Sequence, residues 1–280
     1  MNLGSLHENA VFLESPRWSD GKLWISDVLA GTVLMLSPGS PPEVVARIEG
    51  LPSGLGILPD GRVIVVSMLR RQLLEVSSCG ERLYADLQPV LKGTPNDMII
   101  DGEGRAFVGD LGFDLLGEPT PRAGRIICVS PDGSARVVAG DLDYPNGIAV
   151  CGDDKTLFVA ESDAGSITSF SIASDGSLAD RCRIGSFGTG SPDGICLDAS
   201  GAIWVSLFEN GEFVRMGRDG RVLDQLVARS PRAVACVLGG STRSSLFCVS
   251  ANTTAADLRV GRATSRIDVV EAPFAGTGFP

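Results

Sequence analysis

The sequence predicts an all-β protein, a six-bladed β-propeller whose four-stranded blades surround a central channel. A short unit recurs six times along the chain, at intervals of about 40 to 50 residues. Each copy consists of brief runs rich in Val, Ile, Leu, Phe and Trp, bounded by Asp-Gly, Gly-Ser or Pro-Gly turns. No long stretch keeps a 3.6-residue apolar period between helix caps, so helical repeats are not expected.

The copies align on a turn glycine, found in "LPDGRVIVVS", "DGEGRAFVGD" and "DASGAIWVSL". A residue eight positions before that glycine, the key position, changes from copy to copy. Two further copies align after one residue is inserted or deleted. The key positions are Glu14, Ser53, Asn96, Asn146, Asp193 and, in a degenerate sixth copy, a site near Ala235.

A propeller has to close its ring without leaving a strand edge unpaired. The apolar run "ENAVFL" before Glu14 and the run "RIDVVEA" near the other end are candidates for a shared blade. We therefore expect residues 1–280 to form a single propeller domain.

Composition excludes several classes of protein. Hydrophobic residues make up 44% of the 280 residues, and the formal net charge of -10 argues against a nucleic-acid partner. No apolar run of about 18 residues and no signal peptide is evident, so we expect no membrane partner and a cytoplasmic location. The seven cysteines form no CxxC pair and are expected to be reduced, mostly buried thiols.

The inner strands of a propeller line its channel, so the key positions should converge near the axis. Their side chains offer two carboxylates, two carboxamides and a hydroxyl, all of them oxygen donors suited to a hard divalent cation. The charges of Glu14 and Asp193 would balance such an ion. The alternative is that these residues recur only as turn residues of a repeated blade. The key position carries Glu, Asn, Asn and Asp in four of the copies, and this variation at one register favours a functional site over a repeated turn.

Histidine chemistry is not expected in this site. The only histidine, His7, precedes every repeat and is expected at the surface, and no GxSxG motif occurs. A Ser-His-Asp arrangement and a histidine-rich zinc site are therefore both disfavoured. An enzyme with this sequence would depend on a metal and on carboxylates.

Five segments resemble, in order, the blade motifs of the family that contains gluconolactonases, regucalcin (senescence marker protein) and luciferin-regenerating enzymes. They are "LESPRWSDGKLWISDV", "LPSGLGILPDGRVIVV", "PNDMIIDGEGRAFVGD", "YPNGIAVCGDDKTLFVAES" and "SPDGICLDASGAIWV". The resemblance implies a six-bladed propeller with one divalent metal on its axis. It implies Glu14, Asn146 and Asp193 as metal ligands, and Asn96 as a neighbour that contacts substrate or, in some relatives, the metal.

These residues suit a lactone hydrolase that uses Ca, Zn, Mn or Mg. The metal would polarise the carbonyl and acidify a water molecule, Asp193 would accept the proton, and Asn96 would donate to the developing oxyanion. A lactone suits this site because the leaving alkoxide stays tethered. A small-molecule lactone or ester is thus the expected partner.

The sequence departs from the sugar-lactonase pattern at two places. Thr94 stands where animal members carry a substrate-binding arginine, and the segment 109–124 looks like an insertion. This segment is either an ordinary blade connection or a lid that selects a more hydrophobic substrate. The residues expected to contact substrate are Asn96, Thr94, Asp110, Phe113 and Asp114.

Other functions stay open at this point. The same ring would serve a calcium-binding propeller without turnover, or a metal-dependent esterase or phosphotriesterase. A protein-interaction propeller has little support, because no large aromatic or basic surface signature is present. The expected oligomeric state is a monomer or a weak homo-oligomer.

Overall fold

The structure, a computed structural model, describes residues 3–37, 39–115, 117, 123–153 and 155–277. Its strands form six small antiparallel sheets, one for each repeat, arranged in a ring. The predicted six-bladed β-propeller is therefore confirmed. Within the described residues, no helix combines the length and the apolar character that crossing a membrane requires.

The described part of the chain begins with β1 (Gly4–Ala10), and the first three blades then follow in order from channel to rim. Blade 1 contains β2 (Leu13–Ser19), β3 (Lys22–Asp27), β4 (Thr32–Leu36) and β5 (Glu43–Arg47). Blade 2 contains β6 (Pro52–Ile57), β7 (Val63–Ser67), β8 (Gln72–Ser77) and β9 (Gly80–Asp86). Blade 3 contains β10 (Pro95–Ile100), β11 (Ala106–Asp110), β12 (Gly124–Val129) and β13 (Ala135–Leu142).

The remaining blades repeat the same order. Blade 4 contains β14 (Pro145–Val150), β15 (Thr156–Glu161), β16 (Ser166–Ile172) and β17 (Leu178–Ser186). Blade 5 contains β18 (Pro192–Asp198), β19 (Ile203–Leu207), β20 (Glu212–Met216) and β21 (Val222–Val227). Blade 6 contains β22 (Arg232–Gly239), β23 (Ser245–Asn252) and β24 (Thr264–Glu271), with the short helix α1 (Ala255–Arg259) between the last two strands.

The ring closes through blade 6. Strand β1 pairs antiparallel with β24 and supplies the outermost strand of that blade, so the beginning and the end of the propeller share one sheet. The predicted pairing of the two terminal runs is confirmed. This closure removes the exposed sheet edge that an open ring would present.

Burial falls from the channel to the rim. Every residue of β7, β11 and β19 is buried, whereas β5, β9 and β13 at the rim are mostly exposed or only partly buried. Continuous apolar runs are typical of strands that are covered on both faces, and here the neighbouring blades cover them. The core therefore lies between successive blades.

The inner strands approach one another most closely just after the key positions. A Cβ atom on Gly147 would lie 2.3 Å from the Asp193 carbonyl oxygen, and one on Gly194 would lie 2.6 Å from the Ala235 Cβ. The Asn-Gly and Asp-Gly pairs, which suggested turns, therefore lie inside strands β14 and β18. Glycine is needed there because a neighbouring backbone occupies the space of a side chain.

Each inner strand also carries a pairing irregularity at its key position. The shifts fall between Glu14 and Arg17, Pro52 and Leu55, Pro95 and Met98, Pro145 and Ile148, Pro192 and Ile195, and Ala233 and Ala235. An extra residue in one strand re-aims the local side chains, and such bulges are common next to active sites. The six irregularities direct one end of every inner strand toward the channel.

A last short strand, β25 (Gly276–Thr277), lies inside the channel. It pairs with Leu197 and Asp198, on the inner edge of β18 and at the far end of that strand from Asp193. The chain around Gly276 also packs closely on blade 6, because a Cβ there would lie 2.5 Å from the Leu238 Cβ. The end of the channel away from the key residues is thus occupied by the protein itself.

All seven cysteines are free thiols. The expectation of burial is correct for Cys128, Cys236 and Cys248 and wrong for Cys79 and Cys182, which are exposed near or on rim strands. These two residues lie outside the apolar runs that cover the inner part of each blade.

Candidate active site

Hydrogen bonds join four of the key side chains directly. The Ser53 hydroxyl lies 3.2 Å from Oε2 of Glu14 and 3.1 Å from Oδ1 of Asn96. The Asn96 amide donates in turn to Oδ1 of Asn146 over 3.0 Å. Key residues from blades 1 to 4 therefore meet at one end of the channel.

Asp193 of blade 5 adjoins the same group through Asn146. The Asn146 amide donates to the Ser162 hydroxyl over 3.2 Å, and that hydroxyl donates to the Pro192 carbonyl over 2.6 Å. Glu14, Asn146 and Asp193, the three predicted metal ligands, line one cavity of about 10 Å³. A cavity of this size has room for about one water molecule or ion.

The two key carboxylates hold protons unusually tightly. Burial, followed by the charge of Asp97, raises the pKa of Glu14 to about 7. Burial, followed by the charges of Glu14 and Asp97, raises the pKa of Asp193 well above its ordinary value, although a hydrogen bond from Asn146 opposes the rise. Such pairs of carboxylates in a dry site favour either shared protons or a cation between them.

A third carboxylate, that of Asp97, is neutralised by a buried arginine. The Arg17 guanidinium lies 3.0 Å from Oδ1 of Asp97, and the Ser15 hydroxyl donates to the same oxygen over 2.8 Å. With Arg17 counted, the ionised group of Glu14, Asp97 and Asp193 carries a net charge of -2. This is the charge that a divalent ion balances.

Sequence reasoning did not identify Arg17 as part of the site. Its side chain is 7% exposed and lies in the inner strand of blade 1, three residues after Glu14. The available signal was a positively charged residue in the inner strand of a blade, since a buried arginine there needs an acidic partner. His7, by contrast, lies on the outermost strand of blade 6 and is partly exposed.

The donor set fits a hard divalent cation held partly by neutral oxygens. No group of three His, Cys, Asp or Glu side chains suited to a metal occurs among the described residues. A metal here would therefore need the amide oxygen of Asn146 besides the carboxylates of Glu14 and Asp193. Carboxylate and carboxamide oxygens are the ligands that Ca²⁺ commonly takes.

Thr94, a predicted substrate contact, lies just before β10 and beside the segment 111–115. It is 4% exposed, and its hydroxyl accepts a hydrogen bond from the Leu115 amide over 3.1 Å. Its backbone N–H donates to the Phe113 carbonyl and its carbonyl accepts from the Leu111 amide. Thr94 thus fixes the segment 111–115 against the start of β10 through its backbone and its hydroxyl oxygen.

The expectation that Asp110 contacts substrate is corrected by its surroundings. Asp110 has no exposed surface, and its carboxylate accepts hydrogen bonds from the amides of Lys92, Gly93 and Gly112 over 2.8–3.0 Å. Asp27 does the same in blade 1. An acidic side chain at the end of the second strand therefore accepts hydrogen bonds from the loop that leads into the inner strand and holds that loop in place.

Phe113 and Asp114 lie beside the channel end that carries the key residues. The ring of Phe113 packs on Tyr144 with 5.6 Å between centroids, and Asp114 is exposed. Burial, followed by the charges of Asp193 and Glu14, raises the pKa of Tyr144. Part of the predicted lid, residues 116 and 118–122, lies outside the described residues.

Comparison with known proteins finds structures with the same fold and relatives that are named as lactonases. Residues 12–252 match the family described as SMP-30/Gluconolactonase/LRE-like region. A 6-deoxy-6-sulfogluconolactonase of Pseudomonas putida is 28% identical over 88% of this chain and 85% of its own length. A luciferin-regenerating enzyme superposes with a TM-score of 0.82, at 18% identity over 99% of both chains. A calcium-binding protein, regucalcin from Agrobacterium tumefaciens, superposes with a TM-score of 0.76, at 18% identity over 99% of this chain and 98% of the other.

Proposed function

Because the chain belongs to the SMP-30/Gluconolactonase/LRE-like family, we propose that it is a divalent-metal-dependent lactonase. Membership supports lactone hydrolysis at a general level. The observation that carries the metal dependence is the pair of buried carboxylates, Glu14 and Asp193, with Asn146 on the same cavity. These three residues would hold the ion.

The metal supplies, when bound, a positive charge that polarises an ester carbonyl and makes a water molecule more acidic. Ca²⁺, Mg²⁺, Mn²⁺ and Zn²⁺ all accept oxygen ligands, and the carboxamide of Asn146 favours the harder ions of this group. The remaining chemistry belongs to the side chains of the chain itself.

Asp193 is the proposed general base. Its carboxylate lines the same cavity as Glu14 and Asn146, so it would lie beside a water molecule held at the metal position. It would remove the proton from the attacking water molecule as the water oxygen bonds to the carbonyl carbon. The ring C–O bond then breaks, and the leaving oxygen takes up a proton to give the open hydroxy acid.

Asn96 is the proposed donor to the substrate oxygen. One hydrogen of its NH₂ group is used in the bond to Asn146, and its carbonyl oxygen accepts from Ser53. The second N–H hydrogen is therefore free to stabilise the oxygen on which negative charge develops. The bonds to Ser53 and Asn146 hold the amide in the orientation that this requires.

A calcium-binding protein without turnover is the second candidate. Similarity to the Agrobacterium regucalcin, a calcium-binding protein, favours it, since the same oxygen ligands would serve binding alone. The difference lies in whether Asn96 and Asp193 act on a substrate.

Activity on lactones, aryl esters and phosphotriesters, measured with and without chelator, tests the proposal. We expect lactone hydrolysis that disappears on chelation and returns when a divalent ion is added. Activity that survives in protein shown to be metal-free by elemental analysis would refute the metal mechanism. Tight metal binding with no turnover on any substrate class would favour the second candidate.

A further inference from the structure

The channel end with the key residues, here called the mouth, is surrounded by two sets of loops. One set leads into the inner strands, and the other joins the second strand of each blade to the third. Both sets lie at the same end, because the second strand runs antiparallel to the inner strand and ends where the inner strand begins. Side chains on these loops are therefore the first that a substrate meets.

Four loops of the second set each carry a large apolar side chain, next to charged residues such as Arg70 and Glu209. Leu29, Leu69, Phe113 and Phe208 lie on these loops in blades 1, 2, 3 and 5, whereas blade 4 carries Asp163. Leu69 is 50% exposed, and the other three are partly buried. Apolar side chains left in contact with water around a polar cavity are typical of a binding pocket rather than of a bare surface.

Phe113 and Tyr144 form the aromatic part of the mouth. Their rings are tilted by 54° with centroids 5.6 Å apart, an arrangement that aromatic pairs prefer. Tyr144 lies two residues before Asn146 and is thus joined to the proposed metal site. Its hydroxyl makes no hydrogen bond to another described residue, so it remains available to a bound molecule.

The aromatic pair is held rigidly. Thr94 fixes the backbone on both sides of Phe113 through the hydrogen bonds described above. Gly93 packs so closely that a Cβ atom would lie 2.2 Å from the Phe113 amide nitrogen. The Phe113 backbone therefore cannot move toward blade 3, and the ring is preorganised in place.

We propose that the substrate of the mouth carries a flat apolar group, such as an aromatic ring fused to the lactone, that packs on Phe113 and Tyr144. This inference rests on the proposed function, since it assigns the substrate class of the same site. A polyhydroxylated lactone placed on this aromatic pair would have to give up water at its hydroxyl groups without receiving hydrogen bonds from the Phe113 ring. The position that could offer it an arginine is filled by Thr94, which is buried and hydrogen-bonded to the segment 111–115.

Three six-membered lactones test this assignment. The unsubstituted δ-valerolactone, the aromatic 3,4-dihydrocoumarin and the polyhydroxylated δ-gluconolactone differ in what surrounds the same ester. The variant Phe113→Ala should lower kcat/KM for dihydrocoumarin about tenfold, mainly through KM, because an aromatic contact of this kind contributes about that much to binding. Its effect on valerolactone should stay within about twofold.

Two controls separate the contact from a general disturbance. Phe113→Leu keeps an apolar side chain and should recover part of the dihydrocoumarin activity. Phe274→Ala removes an exposed phenylalanine that lies two residues before the channel strand β25, at the far end, and should change none of the three rates. A lower kcat/KM for all three lactones in Phe113→Ala would mean a damaged site and would overturn the inference.

Binding gives a reading that does not need turnover. Calorimetry with 3,4-dihydroquinolin-2-one, in which an amide replaces the ester, should show binding to the parent protein that weakens about tenfold in Phe113→Ala. A parent enzyme that prefers gluconolactone, with rates unaffected by Phe113→Ala, would overturn the inference and leave the lactonase proposal intact. If no lactone is hydrolysed at all, the lactonase proposal fails, and the calorimetric result alone decides whether the apolar group binds here.

Discussion

Replacing Glu14 by Gln should stabilise the metal-free protein at alkaline pH. The pKa of Glu14 rises from its ordinary 4.5 to about 7 because burial and the charge of Asp97 disfavour the ionised form. Ionising Glu14 in the folded protein therefore costs free energy that the unfolded chain does not pay. The difference between the two pKa values corresponds to about 3 kcal/mol.

The sign follows from the direction of the shift. Below pH 4.5 the carboxyl is protonated in both states and contributes no difference. Between pH 4.5 and about 7 the unfolded state loses the proton first, so the free energy of unfolding falls, and above pH 7 the whole cost is present. Glutamine is neutral at every pH and nearly the same shape, so Glu14→Gln should remove this dependence.

Urea denaturation of both proteins in chelator, at pH 4.5 and at pH 8, measures the effect. We expect the free energy of unfolding of the variant to exceed that of the parent by about 3 kcal/mol at pH 8 and to match it at pH 4.5. Saturating Ca²⁺ should reverse the order at pH 8, because only the parent gains the full binding energy of the ion. An equal difference at both pH values would refute the reasoning, since the effect would then not come from the charge.

Three further substitutions test the other parts of the site. Asp193→Asn should keep its metal but lose at least about 10²-fold in kcat; a parent rate at full metal content would leave Asp193 as a ligand only. Arg17→Met should cost about 3–5 kcal/mol of stability, because Asp97 remains buried without its partner. The double variant with Asp97→Asn should unfold at a higher temperature than Arg17→Met alone. If the effects of the two substitutions on the thermal midpoint simply add, the pairing of Arg17 with Asp97 is contradicted. Asp110→Ala should cost about 1–3 kcal/mol with metal content retained, since it removes the acceptor of three backbone amides; loss of metal together with unchanged stability would argue against this structural role.

The fold and the meeting of the key residues could be predicted from the sequence because the same pattern is repeated. Glu14, Ser53, Asn96 and Asp193 differ chemically, yet their spacing from the following turn is nearly constant. A repeated spacing in a cyclic fold specifies a common position near the axis. In blade 6 the pairing irregularity lies between Ala233 and Ala235, adjacent to the position expected from its degenerate copy.

The contacts between blades could not be predicted in this way. Arg17 reaches Asp97 across 80 residues of sequence, and nothing in the spacing of either residue marks the other as its partner. Asp110 was misassigned because a polar residue beside a candidate site looks the same in sequence whether it serves substrate or backbone. Aligning the ends of the second strands would have indicated a structural role, because Asp27, Asp110 and Glu161 each end the second strand of a blade.

The strand β25 limits how a substrate can enter the channel and how a product can leave it. It occupies the far end of the channel, where Thr277 and Arg17 both line a cavity of about 30 Å³. Reactant and hydrolysed acid must then pass through the same opening, one after the other. A hydroxy acid that lingers there excludes the next lactone, so accumulating acid should act as a competitive inhibitor and progress curves should bend well before the lactone is consumed.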